Sequence, residues 1–330
     1  SSVQGDIPSY PDVGKSRSCL LNSVNGDAYI GISVMKVSRA NMVFGDVENM
    51  GNCCITHVLI NSHEYLVKQH FAKGYQIGTV RDALAAYVSK DLNIMQHSEI
   101  IPMDMNMKGK HTQSWPASVV TVMAGDAIRD RTVGLEGDSI DINNISIEQG
   151  YMKGLDRQGL TRYVIGNMSL HPHLATIVGI DIMIGYRDRH WGNLLYDGET
   201  NSFAGIDMDD SWEQDSCKLA IKNLCRMIRI SDKFTANELR SLKEVRRVIL
   251  HMLKRFRSSH LIYKLNYFSV KAGLTDDSPL NTETISEQLD EYAMNIAQSW
   301  LSARHLVDVL NFMIEGSDPG FVEDICVPFR

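Results

Sequence analysis

Residues 186–212 read YRDRHWGNLLYDGETNSFAGIDMDDSW, and the reading of this stretch decides the fold. Asp188, His190 and Asn193 precede one short apolar run, Leu194-Leu195-Tyr196. Asp207 follows a second run, Phe203-Ala204-Gly205-Ile206. Between the runs lie Asp197-Gly198-Glu199-Thr200-Asn201, residues suited to a tight turn, so the segment predicts a short β-hairpin. Five residues separate Asp188 from Asn193, a spacing at which a loop turns both side chains to one side. The return strand then delivers Asp207 beside Asn193. This grouping offers a carboxylate for an acceptor hydroxyl, with an amide and a carboxylate of the kind that hold Mg²⁺. Transfer of a γ-phosphoryl group asks for such parts, because it depends on positioning and charge neutralisation more than on covalent help. The competing structural reading is a polar turn whose Asp and Asn cap backbone groups. That reading gives no reason for Asp207 to follow a second apolar run.

Upstream, residues 27 to 123 are mostly strand-like. Ala28 to Val37 alternates in β-branched residues, and Cys53–Ile60 and Tyr65–Phe71 flank the polar turn Asn61-Ser62-His63-Glu64. Thr79-Val80-Arg81-Asp82 reads as the start of a helix with Thr79 as its cap. Further strands are expected at Ile100 to Met107 and Ala117 to Met123. After a connection with an insertion at 125–158 the pattern turns helical, with helices opening at His171-Pro172-His173 and near 216–229, 236–257 and 283–313. In the last, Ile285, Leu289, Tyr292, Ile296 and Trp300 fall on one helical face. The order predicts an α+β chain: a tail at 1–26, a small β-rich lobe at 27–125 and a larger helical lobe at 126–330.

The string Asp188-x4-Asn193, followed fourteen residues later by Asp207, resembles the catalytic loop and metal-binding Asp of the protein-kinase-like superfamily. Asp188-Arg189-His190-Trp191-Gly192-Asn193-Leu194-Leu195 is most similar to the phosphatidylinositol 3-/4-kinase-like branch and to divergent bacterial effector kinases. It also resembles aminoglycoside phosphotransferases, which share D-x-H-x-G-N. The resemblance is strong over 186–209 and follows in element order over about 27–313. It implies a bilobal kinase-like fold using ATP and Mg²⁺ or Mn²⁺. Asp188 becomes the first candidate for catalytic base and His190 the second, with Asn193, Asp207 and Asp209 as metal ligands. The resemblance also asks for an ATP-contacting Lys on a strand of the small lobe. Lys68, in Tyr65-Leu66-Val67-Lys68-Gln69, fits, and Lys36 is the alternative. Its acidic helix partner would be Asp82 or Glu99. Adenine would lie against Met123, Gly125 and Ile206. Three features depart from the family pattern: Tyr186 stands where protein kinases usually carry His, Met208-Asp209-Asp210 follows Asp207, and no G-x-G-x-x-G loop is present.

The 330 residues carry a formal charge of −7, which argues against nonspecific binding to nucleic acid or membrane. Yet residues 218–271 hold fourteen Lys and Arg against three acids. Lys218, Lys222, Arg226 and Arg229 recur at helical spacing, and Lys243, Arg246 and Arg247 follow. They predict a polyanion site, taking an inositol polyphosphate, a phosphoinositide headgroup or an acidic partner. The family resemblance adds an inositol polyphosphate activator. The expected acceptor is protein Ser/Thr. Alternatives are a phosphoinositide or small-molecule kinase, a protein AMP-transferase, and a pseudokinase binding module. Six cysteines without a CxxC pair read as mostly packing thiols of an intracellular, cytosolic protein, or of a bacterial effector acting in a host cytosol, with one or two disulfides as the alternative. No apolar run reaches the ~18 residues of a membrane span.

Overall fold

The computed structural model describes residues 42–50, 53–60, 63–70, 76–103, 106–107, 110–111, 115–128, 139–142, 145–148, 162–169, 171, 173–190, 192–231, 233–274 and 283–316. The strand expected at 28–37, Lys36 and the tail at 1–26 lie outside them. The chain is mixed α+β and divides into two compact units. The first comprises residues 1–124, 207–209 and 262–291; the second comprises 125–206, 210–261 and 292–330. The first unit therefore gathers three separate stretches of chain, which a single cut in the sequence does not express.

The first unit is built on a five-stranded antiparallel sheet. Strands β1 (Met42–Met50), β2 (Cys53–Ile60) and β3 (His63–His70) follow one another as hairpins. Strands β4 (Ser98–Met103) and β5 (Trp115–Thr121) complete it in the order β1-β2-β3-β5-β4. Helix α1 (Ile77–Ser89) lies between β3 and β4 in sequence, and all of its residues except Tyr87 are buried. It starts two residues before the cap expected from sequence: Gln76 is the N-cap, and Thr79 sits fully buried within the helix. Burial on nearly every side, rather than a cap hydrogen bond, sets this helix.

In a strand, alternate side chains share a face. Tyr65 and Val67 occupy the core face of β3. Lys68 and His70 share the opposite face and are buried as well, at 6% relative exposure each. A buried lysine is costly unless paired, so this face must meet acids.

In the second unit, β6 (Asp126–Ala127), β9 (Leu194–Asp197) and β10 (Ser202–Gly205) form a sheet in the order β10-β9-β6, while β7 (Ser139–Ile142) and β8 (Ile145–Glu148) form a separate hairpin. The β9–β10 register pairs Leu194 with Gly205 and Asp197 with Ser202. Asp197 holds the turn, accepting from Glu199 N–H at 3.0 Å and from Thr200 Oγ1 at 2.6 Å. Helices α2 (Arg162–Met168), α3 (Leu174–Met183), α4 (Ser216–Ile230) and α5 (Ala236–Arg255) follow in chain order. α3 is buried all round and packs on α5. A capping box starts α5, with Thr235 Oγ1 accepting from Glu238 N–H and Glu238 accepting from Thr235 N–H.

Helix α6 (Ser258–Lys271) was not expected from sequence. Its exposed face carries Tyr263, Tyr267 and Val270, which blurs the polar–apolar contrast that marks a surface helix. Helix α7 (Glu283–Glu315) matches the expected final helix. Cys217 is a buried free thiol, whereas Cys225 is disulfide-bonded, contrary to the expectation of packing thiols. Spacing along the chain does not reveal which sulfurs the fold brings together. Among the described residues, no helix is long and apolar enough to cross a membrane.

Gly185 joins α3 to the loop that follows. It has φ +60°, and a Cβ there would lie 2.3 Å from Gln214 O. Gly273 has φ +75° but meets nothing within 4 Å. Gly273→Ala should therefore cost only the left-handed conformation, ~1 kcal/mol. Gly185→Ala should cost that and a backbone collision, ~3 kcal/mol or more. Urea midpoints of the two variants test the difference.

Candidate active site

In the first unit, Lys68 lies between two carboxylates. Its Nζ donates a short hydrogen bond to Asp207 Oδ1 and stands 3.9 Å from Asp82 Oδ2 on α1. Two residues further along the same strand face, His70 Nε2 stands 3.5 Å from Asp209 Oδ2. The two-residue period of β3 is thus matched by the two-residue spacing of Asp207 and Asp209. Asp82 is buried, and desolvation raises its pKa against the opposing charge of Lys68. Burial also acts to raise Asp207, but the charge and hydrogen bond of Lys68, helped by His70 and Asp209, outweigh it and hold this carboxyl below its ordinary value. Asp207 keeps 37% of its side chain exposed. It also adopts φ +58°, an uncommon conformation for a residue with a side chain. Gln96 Oε1 accepts from its backbone N–H at 3.5 Å.

The alternative acid, Glu99 on β4, is engaged elsewhere. It accepts from Lys271 at 3.3 Å and lies 3.8 Å from His97 Nε2. Burial, reinforced by the charge of Lys90, lowers His97 to a pKa of about 4. Burial lowers His70 to about 4 as well, with Lys68 and Arg81 adding to the shift and Asp207 opposing it.

In the second unit, residues 186–190 and 192–193 form a loop held mainly by their own polar groups. Tyr186 O–H donates to Asp188 O at 2.9 Å and accepts from Asn193 Nδ2 at 3.0 Å. Asn193 Nδ2 also reaches Asp188 O at 3.0 Å and Asp188 Oδ2 at 3.2 Å. These contacts occupy the nitrogen end of the amide and leave Oδ1 as its ligand end. His190 Nδ1 accepts from Gly192 N–H at 2.9 Å, so a neutral ring carries its proton on Nε2. That nitrogen lies 3.4 Å from Asp188 Oδ2. The 3.1 Å approach of Asn193 Nδ2 to Nε2 is then a contact between two donors rather than a bond.

Arg189 anchors this loop. It is 1% exposed and makes paired 2.9 Å hydrogen bonds to both oxygens of Asp181, in the middle of α3. Its Nη1 donates to Asn193 O and, at 3.0 Å, to Ile206 O, and its guanidinium lies 4.4 Å from the Tyr186 ring centroid. Ile206 N–H in turn donates to Asn193 O at 3.1 Å, extending the hairpin register by one pair. The sequence reading gave Arg189 no role. The signal was present: Asp181 interrupts an apolar helix, and a buried charge there demands a partner.

Among the expected adenine contacts, Met123 is buried in the first unit, and Ile206 is half-buried in the second. Gly125, in the second unit, has φ +98°, and a Cβ there would lie 2.4 Å from Tyr196 O, so the position excludes side chains. Of the expected polyanion residues, Lys218, Lys222, Arg226 and Arg229 lie exposed on α4. Arg246 is committed to Asn311 and Glu315, and Arg247 to Glu244. Lys243 and Arg247 line a pocket with Arg240, which the sequence reading had not singled out.

Among the described residues, no three His, Cys, Asp or Glu side chains are grouped to hold a metal ion by themselves. A magnesium site in phosphoryl transfer is ordinarily completed by phosphate and water oxygens around one or two carboxylates. The carboxylate of Asp207 in the first unit and the amide oxygen of Asn193 in the second are each a donor of the chemical type this requires.

No family model matches the chain, and no curated protein matches it in sequence. Among solved structures, the chain is similar to a proinflammatory kinase of Helicobacter pylori, CtkA, at 13% identity and a TM-score of 0.41. That match covers 84% of this chain and 98% of the other. It is also similar to an ethanolamine kinase of Plasmodium vivax at 11% identity and a TM-score of 0.27, covering 91% and 84%. Likeness of this degree carries no functional weight, so the reading rests on the residues themselves.

Arg189→Met leaves Asp181 buried without its partner and should cost ~3–5 kcal/mol, whereas Asp181→Leu/Arg189→Met should recover most of that loss. Chemical denaturation of both variants tests this. His97 gives a pH signature. The unfolded ring takes up a proton near pH 6.5, the folded ring near 4. Its contribution to stability is therefore full above pH 6.5 and is lost as the pH falls toward 4. His97→Gln should remove roughly 2–3 kcal/mol of the stability lost between pH 7 and 4.5, read from urea midpoints at the two pH values.

Proposed function

We propose that the chain is an ATP- and Mg²⁺-dependent phosphotransferase that moves the γ-phosphoryl group to a hydroxyl, with protein Ser or Thr as the acceptor. One observation carries the reading: a buried lysine on the third strand of an antiparallel sheet is shared between an acid on the helix that follows and the aspartate that follows the D-R-H-x-G-N loop and its hairpin. Protein kinases use such a strand-borne lysine, paired with a helix acid, to position ATP phosphates, and an aspartate in this later position to bind Mg²⁺.

In this reading Lys68 contacts ATP phosphate, and Asp82 keeps it charged and oriented. Asp207 would hold the metal, with Asp209 as a further oxygen donor, and Asn193 offers its amide Oδ1 as a donor of the same chemical type. Bound Mg²⁺ neutralises charge on the phosphate oxygens and fixes their orientation. Asp188 orients the acceptor hydroxyl and takes its proton as the acceptor oxygen bonds to the γ-phosphorus. The bond from that phosphorus to the β–γ bridging oxygen breaks, and its electron pair leaves with ADP. His190 serves better as a positioning group than as the base. Its Nδ1 lone pair is occupied by Gly192 N–H, and in the neutral ring Nε2 carries the proton beside Asp188. Arg189 supports the backbone of the loop and of residue 206, without a chemical role of its own.

ATP labelled separately at the α- and γ-phosphates distinguishes the available outcomes. With Mg²⁺, γ-label should pass to a protein acceptor, and Asp207→Ala should lower the transfer by at least ~100-fold, a loss typical of a transition-state charge stabiliser. Transfer of α-label would make the chain an AMP-transferase. Transfer of neither label would make it a nucleotide-binding or scaffolding module.

A further inference from the structure

The second unit contains a pocket of about 440 Å³ that phosphotransfer does not use. It opens where α3 begins and is walled on another side by the middle of α5, through Arg240, Ser241, Lys243, Glu244 and Arg247. Its size falls within the range of small-molecule sites, ~300–1,000 Å³.

Its chemistry is that of an anion site. α3 is a ten-residue helix whose N-cap, His173, adopts φ +78° and makes no side-chain cap hydrogen bond. Leu174 N–H already donates to His171 O at 3.3 Å, so the later amides of the first turn and the helix dipole supply the positive end. Two further lining residues carry buried polar atoms that have no hydrogen-bond partner. His171 lines the pocket, is 9% exposed and buries Nδ1 without a hydrogen-bond partner. Ser241 lines it from α5, is 1% exposed and buries Oγ likewise. Buried polar atoms of this kind are ordinarily satisfied.

Glu244 is the acid among the lining residues, and its charge is already neutralised. Both its oxygens accept from Arg247, at 2.8 and 2.7 Å, and Thr176 Oγ1 donates to it at 2.6 Å. Arg240 and Lys243 lie exposed at the pocket, and neither shows an acid partner among the described ion pairs. Burial lowers the pKa of His171, so at neutral pH its ring has one proton and can donate through Nδ1 in one tautomer.

We propose that this pocket binds a phosphate-bearing small molecule, its phosphate seated at the N-terminus of α3 against His171 and Ser241, with Arg240 and Lys243 folding over it. Uncapped helix amides and flexible cations together favour a phosphomonoester dianion. The ligand is either a free phosphate ester or a lipid headgroup, since both present the same group. The site is independent of the phosphotransfer reading, because it can be measured without ATP.

The test is calorimetric titration at low salt with inorganic phosphate and with inositol 1,4-bisphosphate, beside sedimentation with phosphatidylcholine vesicles containing phosphatidylinositol 4-phosphate. Binding should weaken at least tenfold in Arg240→Ala/Lys243→Ala and several-fold in Ser241→Ala. It should hold in Lys218→Ala/Lys222→Ala, which removes two exposed charges from α4. Thermal melts should show all three variants folded. Tight binding of the free bisphosphate supports the proposal with a soluble ligand. Vesicle binding alone, lost in Arg240→Ala/Lys243→Ala, supports it with a lipid headgroup. Absence of binding to every probe overturns it. Equal losses in the two double variants overturn it too, since the attraction would then be diffuse.

Discussion

The buried ammonium of Lys68 is the constraint on which the first unit depends. Its side chain is 7% exposed and that of Asp82 is 2% exposed, so neither charge is well served by water. Such a pair gives little net stability, because desolvation offsets most of the attraction. What it supplies is position. A strand residue, a helix residue and Asp207, 139 residues from Lys68 in sequence, are tied to one point. Lys68, helped by His70 and Asp209, keeps Asp207 ionised while its side chain stays partly exposed, which a metal ligand needs and a purely structural ion pair does not. The left-handed backbone at Asp207 fits the same view, since a strained residue persists only where its surroundings over-determine it.

The loop of the second unit is organised on the same principle with different parts. Arg189 takes both oxygens of Asp181 and two backbone carbonyls, so the chain flanking Asn193 and Ile206 is fixed by a buried fork of donors. Tyr186 and Asp188 then fix which way the Asn193 amide faces. The Arg189 and Asn193 side chains thus have their orientations set by neighbouring groups rather than by solvent. Preorganisation of this kind is what electrostatic catalysis requires.

Much of this was legible in the sequence because short-range rules applied. The turn at 197–201 between two apolar runs could scarcely be anything but a hairpin, and it is one. The β2–β3 hairpin was equally plain from its two apolar strands. The choice of Asp82 over Glu99 beside Lys68 was not legible. Both acids are near in sequence, and only the fold commits Glu99 to Lys271. Helix α6 escaped because exposed Tyr263, Tyr267 and Val270 erase its amphipathic pattern. The pocket beside α3 escaped for another reason. Its charge lies on α5 and its unsatisfied atoms on His171 and Ser241, and nothing in linear order brings those residues together. The basic stretch at 218–271 gave the sign of the charge, but the fold divides it among exposed α4 residues, ion pairs of α5 and a pocket.

The proposed function hangs above all on Asp207 serving a nucleotide-bound metal ion. Electron paramagnetic resonance of Mn²⁺ with ATP tests it most directly, because the ion reports its own binding. The protein should take up Mn²⁺·ATP, and Asp207→Asn should weaken this uptake by at least tenfold while the protein remains folded. Uptake by the variant at the affinity of the wild type, or no uptake by the wild type, would sink the proposal.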